Sequence, residues 1–277
     1  MAKERPWAAS PVAADVGEAP IAVKSAARTL RILEFFDEIR RGARANEIAE
    51  RLAIPQSSAS FLLNSLVRLG YLDFNHRART YLPSIRTAVL ATWRDTGCFR
   101  DGSMLAQLER LAADTGLTAI LSTRDKLFVS YLHLVQTKRP GGLHIPLSVR
   151  RFAVNVASGI VVLAESSDAE IRALVHRTRA QPYPGASEIN PGDVLARVNF
   201  ARTRGYFLSK GLVDPRFGGI AVALPTTITG GWQDMAITVS GEVGEIVERE
   251  FELLDALIQS IRGLDRAFEL TQAGGGA

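Results

Sequence analysis

Five side chains between residues 57 and 68 have the chemistry needed to recognise the edges of nucleic acid bases. At about 3.6 residues per turn they fall on one face of a helix, and they are Ser57, Ser60, Phe61, Asn64 and Arg68. An amide can form two hydrogen bonds with adenine, a guanidinium can bind guanine or a phosphate, and an aromatic ring can contact the methyl group of thymine. The spacing therefore predicts a helix whose polar face lies in the major groove of DNA.

The apolar residues of the same stretch predict two short helices that position this face. The first helix places Ile48, Ala49 and Leu52 on a narrow stripe. Pro55 ends that helix and suits the start of the next, because proline lacks an N–H group and has a fixed φ. Gly70 supplies the left-handed conformation that commonly follows a helix. The positions of the second helix expected to face the core are Ala59, Leu62, Leu63, Leu66 and Leu69.

The flanking segments predict a third helix and a wing. Upstream, apolar residues recur at helical spacing after Ser25, a suitable N-cap. These apolar residues are Ala26, Leu30, Leu33 and Phe36. Downstream, residues 71–83 form two aromatic-rich runs around a polar and basic tip, so Arg77 and Arg79 are expected to contact DNA phosphates or the minor groove. An ordinary helical bundle with a solvated polar face and a hairpin is the alternative interpretation.

The charge of the chain is concentrated in the same part. Residues 24–100 hold 13 lysines and arginines against 7 acidic residues, whereas residues 101–277 hold 18 against 19. A local basic segment attracts a polyanion. The sequence has no apolar run of the roughly 20 residues that a transmembrane helix needs and no charged-then-apolar leader, so we expect a cytoplasmic protein. Cys98, the single cysteine, excludes an intramolecular disulfide and a multi-thiolate metal site.

Residues 25–83 resemble the winged helix-turn-helix of the IclR (isocitrate lyase regulator) family of bacterial transcriptional regulators. Four segments carry the resemblance: ARTLRIL from Ala27, EIAERL from Glu47, PQSS from Pro55, and the spacing Leu66-x-x-x-Gly70-Tyr71-Leu72. The resemblance adds Gln56 and Ser58 to the predicted DNA-binding residues.

The resemblance also implies partners. Family members act on double-stranded DNA at imperfect inverted repeats, as homodimers or tetramers, and respond to a small-molecule effector. One winged helix of this size covers only a half-site, which also favours a two-fold assembly. A linker stripe of Ile85, Val89 and Trp93 is the predicted dimer surface.

The order of the remaining elements predicts an α+β protein with an N-terminal winged helix-turn-helix, a linker helix, and a C-terminal GAF-like effector-binding domain with a mixed or antiparallel sheet. A further strand at residues 144–149 and one long helix over residues 242–268 are expected within the last domain. The predicted divisions are 1–23 (disordered arm), 24–83 (winged helix-turn-helix), 84–102 (linker helix), 103–269 (effector-binding domain) and 270–277 (disordered tail).

Two stretches resemble the segments that border the effector pocket of the family. Residues 152–164 match P-L-H-A-T-A-x-G-K-A-L-L-A, but Phe152, Val154 and Val156 replace its proline, histidine and threonine. Residues 214–225 match E-x-x-x-G-x-x-C-I-A-A-P, with alanine at the cysteine position. The residues predicted to bind the effector are Asn155, Ser158, Gly159, Arg216, Gly218 and Ala221.

The loss of polar groups from these stretches has two interpretations. The pocket either binds nothing, or it is adapted to an aromatic or otherwise largely apolar effector that is oriented by Asn155, Ser158 or Arg216. Three functions follow from the alternatives: a ligand-responsive DNA-binding regulator, a DNA-binding regulator whose C-terminal domain only oligomerises, and an enzyme on a sensor-like fold. No metal-ligand spacing, nucleophile elbow or P-loop is present in the sequence, so no catalytic residue, metal or cofactor is predicted and the enzyme is disfavoured.

Overall fold

The computed structural model describes residues 23–90, 102–137, 145, 150–229 and 234–274. The chain divides into two compact units, one formed by Glu18–Asp95 and the other mainly by the chain from Thr96 onward. The predicted arm before residue 23 and most of the linker, including Trp93 and Cys98, lie outside the described residues. No helix in the described ranges has the length and apolar character needed to cross a membrane.

The N-terminal unit is a three-helix motif followed by a hairpin. Its elements are α1 (Lys24–Ile39), α2 (Ala45–Arg51), α3 (Gln56–Arg68), β1 (Leu72–Asn75), β2 (Thr80–Pro83) and α4 (Ile85–Val89). The two strands pair antiparallel from Leu72 opposite Pro83 to Asn75 opposite Thr80. Gly70 has a φ of +80°, which glycine adopts readily, and it separates α3 from the hairpin. This order confirms the predicted helix-turn-helix and wing.

The core of this unit lies between α1, α2, α3 and the hairpin. Its buried side chains are Ile32, Phe35, Phe36, Ala43, Ile48, Leu63, Leu66, Leu72 and Tyr81. One core position predicted from helical spacing is wrong: Leu69 is 60% exposed, because it follows the last residue of α3. Leu30, on the apolar repeat of α1, is also 60% exposed. Helix α1 also begins at Lys24 without a side-chain cap, so Ser25 is not its N-cap.

The C-terminal unit alternates helices with strands. Its elements are α5 (Ser103–Thr115), β3 (Thr118–Asp125), β4 (Phe128–Val135), β5 (Arg150–Phe152), α6 (Ala157–Val162), α7 (Asp168–Arg179), α8 (Pro191–Arg204), β6 (Phe207–Lys210), β7 (Phe217–Ala223), α9 (Thr226–Thr229), β8 (Met235–Glu242), α10 (Val243–Glu248) and α11 (Glu250–Gly274). Short 3-10 turns occupy Ala153–Asn155, Leu163–Glu165 and Ala186–Glu188.

One antiparallel sheet organises this unit, with the strand order β5-β4-β3-β8-β7-β6. Successive side chains of a strand point to opposite faces, and each face has its own core. Leu121, Ile237 and Ile220 pack in the cluster that contains residues of α5 and α11. Ala221 and Ala236 pack in the cluster that contains residues of α6, α7 and α8. The α+β class and the antiparallel sheet are as predicted.

The strand expected at residues 144–149 lies outside the described residues apart from Ile145, and β5 begins at Arg150. Two details of the C-terminal helical segment differ from the sequence-based prediction. The single helix expected over 242–268 is interrupted at Arg249, whose guanidinium bonds to Glu245, Glu252 and the carbonyl of Thr115. Helix α11 then continues to Gly274, so the domain boundary placed at residue 269 falls inside a helix.

Candidate functional site

Helix α3 has one packed side and one open side. Ala59, Leu63 and Leu66 are buried against the rest of the unit. Of the seven predicted DNA-binding residues on this helix, the structure leaves five exposed and two partly buried. The exposed ones are Gln56, Ser57, Phe61, Asn64 and Arg68, and the partly buried ones are Ser58 and Ser60. The structure therefore brings the predicted base-reading residues together on one helix and keeps them out of the core.

Phe61 is the unusual member of this set. Its side chain is 74% exposed, although a phenyl ring in water forgoes the roughly 2 kcal/mol or more that burial of a large apolar side chain contributes. The ring makes no contact with another aromatic ring in the described residues. An exposed aromatic ring between hydroxyl and amide side chains suits contact with a thymine methyl group.

Asn64 is connected to the wing through Tyr81. The Tyr81 hydroxyl donates to Asn64 Oδ1 at 3.4 Å. Tyr81 is itself buried, and its backbone exchanges two hydrogen bonds with Ala43. Its ring also packs against Phe74 with the ring centroids 4.7 Å apart. The hydroxyl of Tyr81 thus restrains the amide of Asn64, a role that the sequence indicated only through the aromatic alternation of the hairpin.

The tip of the wing presents two cations to solvent. Asn75 Oδ1 accepts hydrogen bonds from the backbone N–H groups of Arg77 and Ala78, at 3.0 and 3.1 Å, and this closes the turn. Arg79 adopts a left-handed conformation with a φ of 55°. Both arginine side chains are exposed. Neither forms an ion pair or side-chain hydrogen bond within the described parts of the chain, so both guanidinium groups are available to a polyanion.

Two other arginines of this unit are already paired. Arg41 forms an ion pair with Glu47, and Arg51 forms one with Glu38 at 2.6 Å. The hydrogen bond from Arg41 lowers the pKa of the Glu47 carboxyl below its ordinary value. The guanidinium groups of Arg41 and Arg51 are therefore engaged within the described part of the chain, whereas those at the wing tip are not.

In the C-terminal unit, two of the predicted effector-binding glycines have a packing role. A Cβ atom added at Gly159 would lie 1.9 Å from the carbonyl oxygen of Ala153, and one added at Gly218 would lie 2.5 Å from that of Ser209. Real Cβ contacts are never this short, so both positions require the close approach of two backbones. Ser158, beside the first glycine, is buried in α6.

The predicted polar anchors of the effector lie in different surroundings. Asn155 Nδ2 donates to the carbonyl of Leu212 at 3.2 Å and lines a cavity. Arg216 lies on a turn with its side chain 67% exposed and pairs with Asp214 at 2.8 Å. This hydrogen bond lowers the pKa of the Asp214 carboxyl. Arg216 is not among the described residues that line the cavity beside Asn155.

Ala221 belongs to a face of the sheet that the sequence did not single out. It pairs with Thr238 of β8, which in turn pairs with Ile120 of β3, so the three side chains share one face. Ser122 and Ser240 lie on the same face and donate to the carbonyls of Ala236 and Gly218. Thr238 Oγ1 is buried, and within the described residues it has no hydrogen-bond partner. The small residues of β7 and the alternate hydroxyl residues of β8, Thr238 and Ser240, were the sequence signal for this face.

Comparison with known proteins agrees with this architecture. The sequence model of the IclR helix-turn-helix domain matches residues 25–76. The chain is 25% identical to the Pca regulon regulatory protein of Pseudomonas putida, over 88% of this chain and 84% of that protein.

Two solved structures show the same fold over nearly the whole chain. An IclR transcriptional regulator from Alicyclobacillus acidocaldarius is 24% identical, with a TM-score of 0.56 over 90% of this chain and 100% of that one. An IclR homolog from Microbacterium hydrocarbonoxydans, complexed with 4-hydroxybenzoate, is 19% identical, with a TM-score of 0.58 over 89% of this chain and 99% of that one. The chain therefore carries an IclR-type helix-turn-helix domain, and over most of its length it is similar in sequence and fold to transcriptional regulators of the IclR family.

Proposed function

We propose that this regulator binds a specific DNA sequence through α3 and the wing, and that its C-terminal unit senses a small-molecule effector. The observation that carries the DNA proposal is the open side of α3, where base-reading side chains project while the opposite side is packed. We further propose a homodimer or tetramer on an imperfect inverted repeat, because one helix of 13 residues reads only a half-site.

The test is a fluorescence anisotropy titration of the full chain with the DNA upstream of its own gene. Random DNA of the same length is the control. Specific binding should exceed non-specific binding by at least about a thousandfold. Equal affinity for the two DNAs would contradict sequence-specific binding.

Replacing the wing arginines should weaken binding to all DNA sequences alike. Each of the changes Arg77→Ala and Arg79→Ala removes one phosphate contact, so each should reduce the slope of log affinity against log salt by about one unit. Titrations at several salt concentrations measure this slope. Arg172→Ala, an equal charge change on an exposed position of α7, is the control and should leave the slope unchanged. An unaltered slope for the double variant Arg77→Ala/Arg79→Ala would disprove the wing assignment.

For the effector, we propose the sheet face around Thr238 and Ala221. A buried hydroxyl without a partner costs about 1–3 kcal/mol, and a bound ligand that supplies the missing hydrogen bond would remove this cost. The neighbouring cluster of Ile120 and Ile145, with Tyr131 and Leu134 against it, offers apolar contact. A largely apolar, aromatic effector with one or two polar groups fits this combination. The 4-hydroxybenzoate complex of the Microbacterium hydrocarbonoxydans homolog supports the same class.

Calorimetric titration of the full chain should show tighter binding of 4-hydroxybenzoate than of glyoxylate. The change Thr238→Val keeps the shape of the side chain and removes its hydroxyl, so it should weaken 4-hydroxybenzoate binding about three- to tenfold, the loss of one neutral hydrogen bond. Thr178→Val, a buried threonine of α7, is the matched control. Tighter binding of glyoxylate would disprove the apolar site, and binding of neither compound would favour a C-terminal unit that only oligomerises.

A further inference from the structure

The C-terminal unit contains a cavity of about 350 Å³ that differs in character from the sheet face. Its wall is formed by the end of β5, the 3-10 turn that follows it, the connection between α7 and α8, the first turns of α8, and the turn after β6. Neither Ala221 nor Thr238 is among the described residues that line it. The polar side chains of the wall are Arg151, Asn155, Glu188, Asn190, Asp193 and Arg197.

Arg197 is the group that distinguishes this wall from an ordinary solvated surface. Its side chain is partly buried, yet within the described ranges it forms no hydrogen bond and no ion pair. Asp193 precedes it by one helical turn on α8, but the two do not pair with each other, and Asp193 has no other partner in those ranges. By contrast, Arg151 is hydrogen-bonded to Tyr131. The guanidinium of Arg197 and the carboxylate of Asp193 therefore face the same cavity, and neither has an ion-pair partner in those ranges.

Part of the wall is apolar and firmly held. The ring of Phe152 stacks on Phe128 with the centroids 5.2 Å apart and meets Tyr183 edge-on at 5.7 Å. The amide of Asn155 is fixed by its bond to the carbonyl of Leu212. Such support keeps the cavity formed without a ligand, which lowers the entropic cost of binding.

We propose that this cavity is a second ligand site, which binds a small organic acid carrying a hydroxyl or ammonium group. The carboxylate of the ligand pairs with the guanidinium of Arg197, which can donate two parallel hydrogen bonds. The hydroxyl or ammonium group donates to the carboxylate of Asp193. The apolar body of the ligand packs against Phe152, Leu212 and Val213. The volume lies at the lower end of the range of ligand pockets and suits a ligand of about a dozen non-hydrogen atoms.

Calorimetry with the full chain tests this site, with L-phenylalanine and L-3-phenyllactate as probes. The first supplies an ammonium group and the second a hydroxyl group on the same skeleton, while phenylacetate supplies neither. At least one of the first two should bind saturably and at least tenfold more tightly than phenylacetate. The change Arg197→Gln should weaken that binding at least tenfold, whereas Arg204→Ala, on the same helix but outside the cavity, should leave it unchanged.

The variant Asp193→Asn distinguishes binding of the ammonium group from binding of the hydroxyl group. It should weaken binding of L-phenylalanine more than binding of L-3-phenyllactate, because an ammonium ion loses a full charge partner. Thr238→Val should leave the binding of both probes unaffected. This result distinguishes the cavity from the proposed effector face, so either proposal can be contradicted without the other. Saturable binding by neither probe, equal binding of phenylacetate, or binding insensitive to Arg197→Gln would overturn the second site.

Discussion

The change Gly159→Ala should lower the free energy of unfolding of the C-terminal unit by about 3 kcal/mol, at the upper end of the usual cost of overpacking. The added methyl group would lie 1.9 Å from the carbonyl oxygen of Ala153, 2.5 Å from its carbonyl carbon and 2.6 Å from its Cα atom. All three are backbone atoms, which cannot move aside as the end of a flexible side chain can. Relief of this steric clash therefore requires α6 to shift relative to the preceding 3-10 turn.

Urea denaturation followed by circular dichroism measures this effect. Gly244→Ala is the matched control: this glycine lies in α10, and an added Cβ would meet nothing within 4 Å. Alanine is favoured over glycine in a helix by up to about 1 kcal/mol, so the control should be neutral or stabilising. If Gly159→Ala unfolds at the same urea concentration as the unmodified chain, the close approach of α6 to Ala153 is not required for the fold.

The same glycine shows what a family resemblance can and cannot predict. The motif around residues 152–164 placed Gly159 among the predicted effector-binding residues. The structure gives a different physical reason for a glycine at this position, namely the close approach of the backbone of Ala153. A sequence motif identifies the position of the glycine. It does not show which backbone atoms of another segment approach that position.

The N-terminal unit was predictable because its contacts are largely local. Helical spacing placed Leu63 and Leu66 in the core and Asn64 and Phe61 on the open side, and the structure agrees. The same spacing failed at Leu69, because periodicity defines a face of a helix and does not show how far the neighbouring elements cover it.

The face around Thr238 was not predictable by such spacing. Its members come from β3, β7 and β8, and Ile120 and Thr238 become neighbours only when the sheet pairs strands that are far apart in sequence. The cavity beside Arg197 depends in the same way on Arg151 and Val213, which come from two other segments. Asn155 was predictable from the motif around it, whereas Arg197 and Asp193, which give the cavity its charge, carry no such signal in the sequence.

The largest expected effect on function is that of Asn64→Ala. This change should cost about 1–3 kcal/mol on the specific DNA site and little on random DNA, because an amide reads a base edge whereas non-specific binding rests on phosphates. Anisotropy titrations on both DNAs measure the difference. Asn46→Ala, which removes an exposed amide from α2, is the control and should change neither. Equal losses on the two DNAs would show that α3 does not read the sequence.

Tyr81→Phe extends this experiment to the contact between the wing and α3. The change removes only the hydroxyl that donates to Asn64 Oδ1 at 3.4 Å, while the ring remains packed against Phe74. If the hydroxyl positions the amide, Tyr81→Phe should reduce specific binding by a factor of about two to ten, the value of one neutral hydrogen bond. The loss should vanish in the Asn64→Ala background, because the amide that it positions is absent. A loss of the same size in both backgrounds would mean that Tyr81 acts through the fold of the wing, and that the orientation of Asn64 is set by α3 alone.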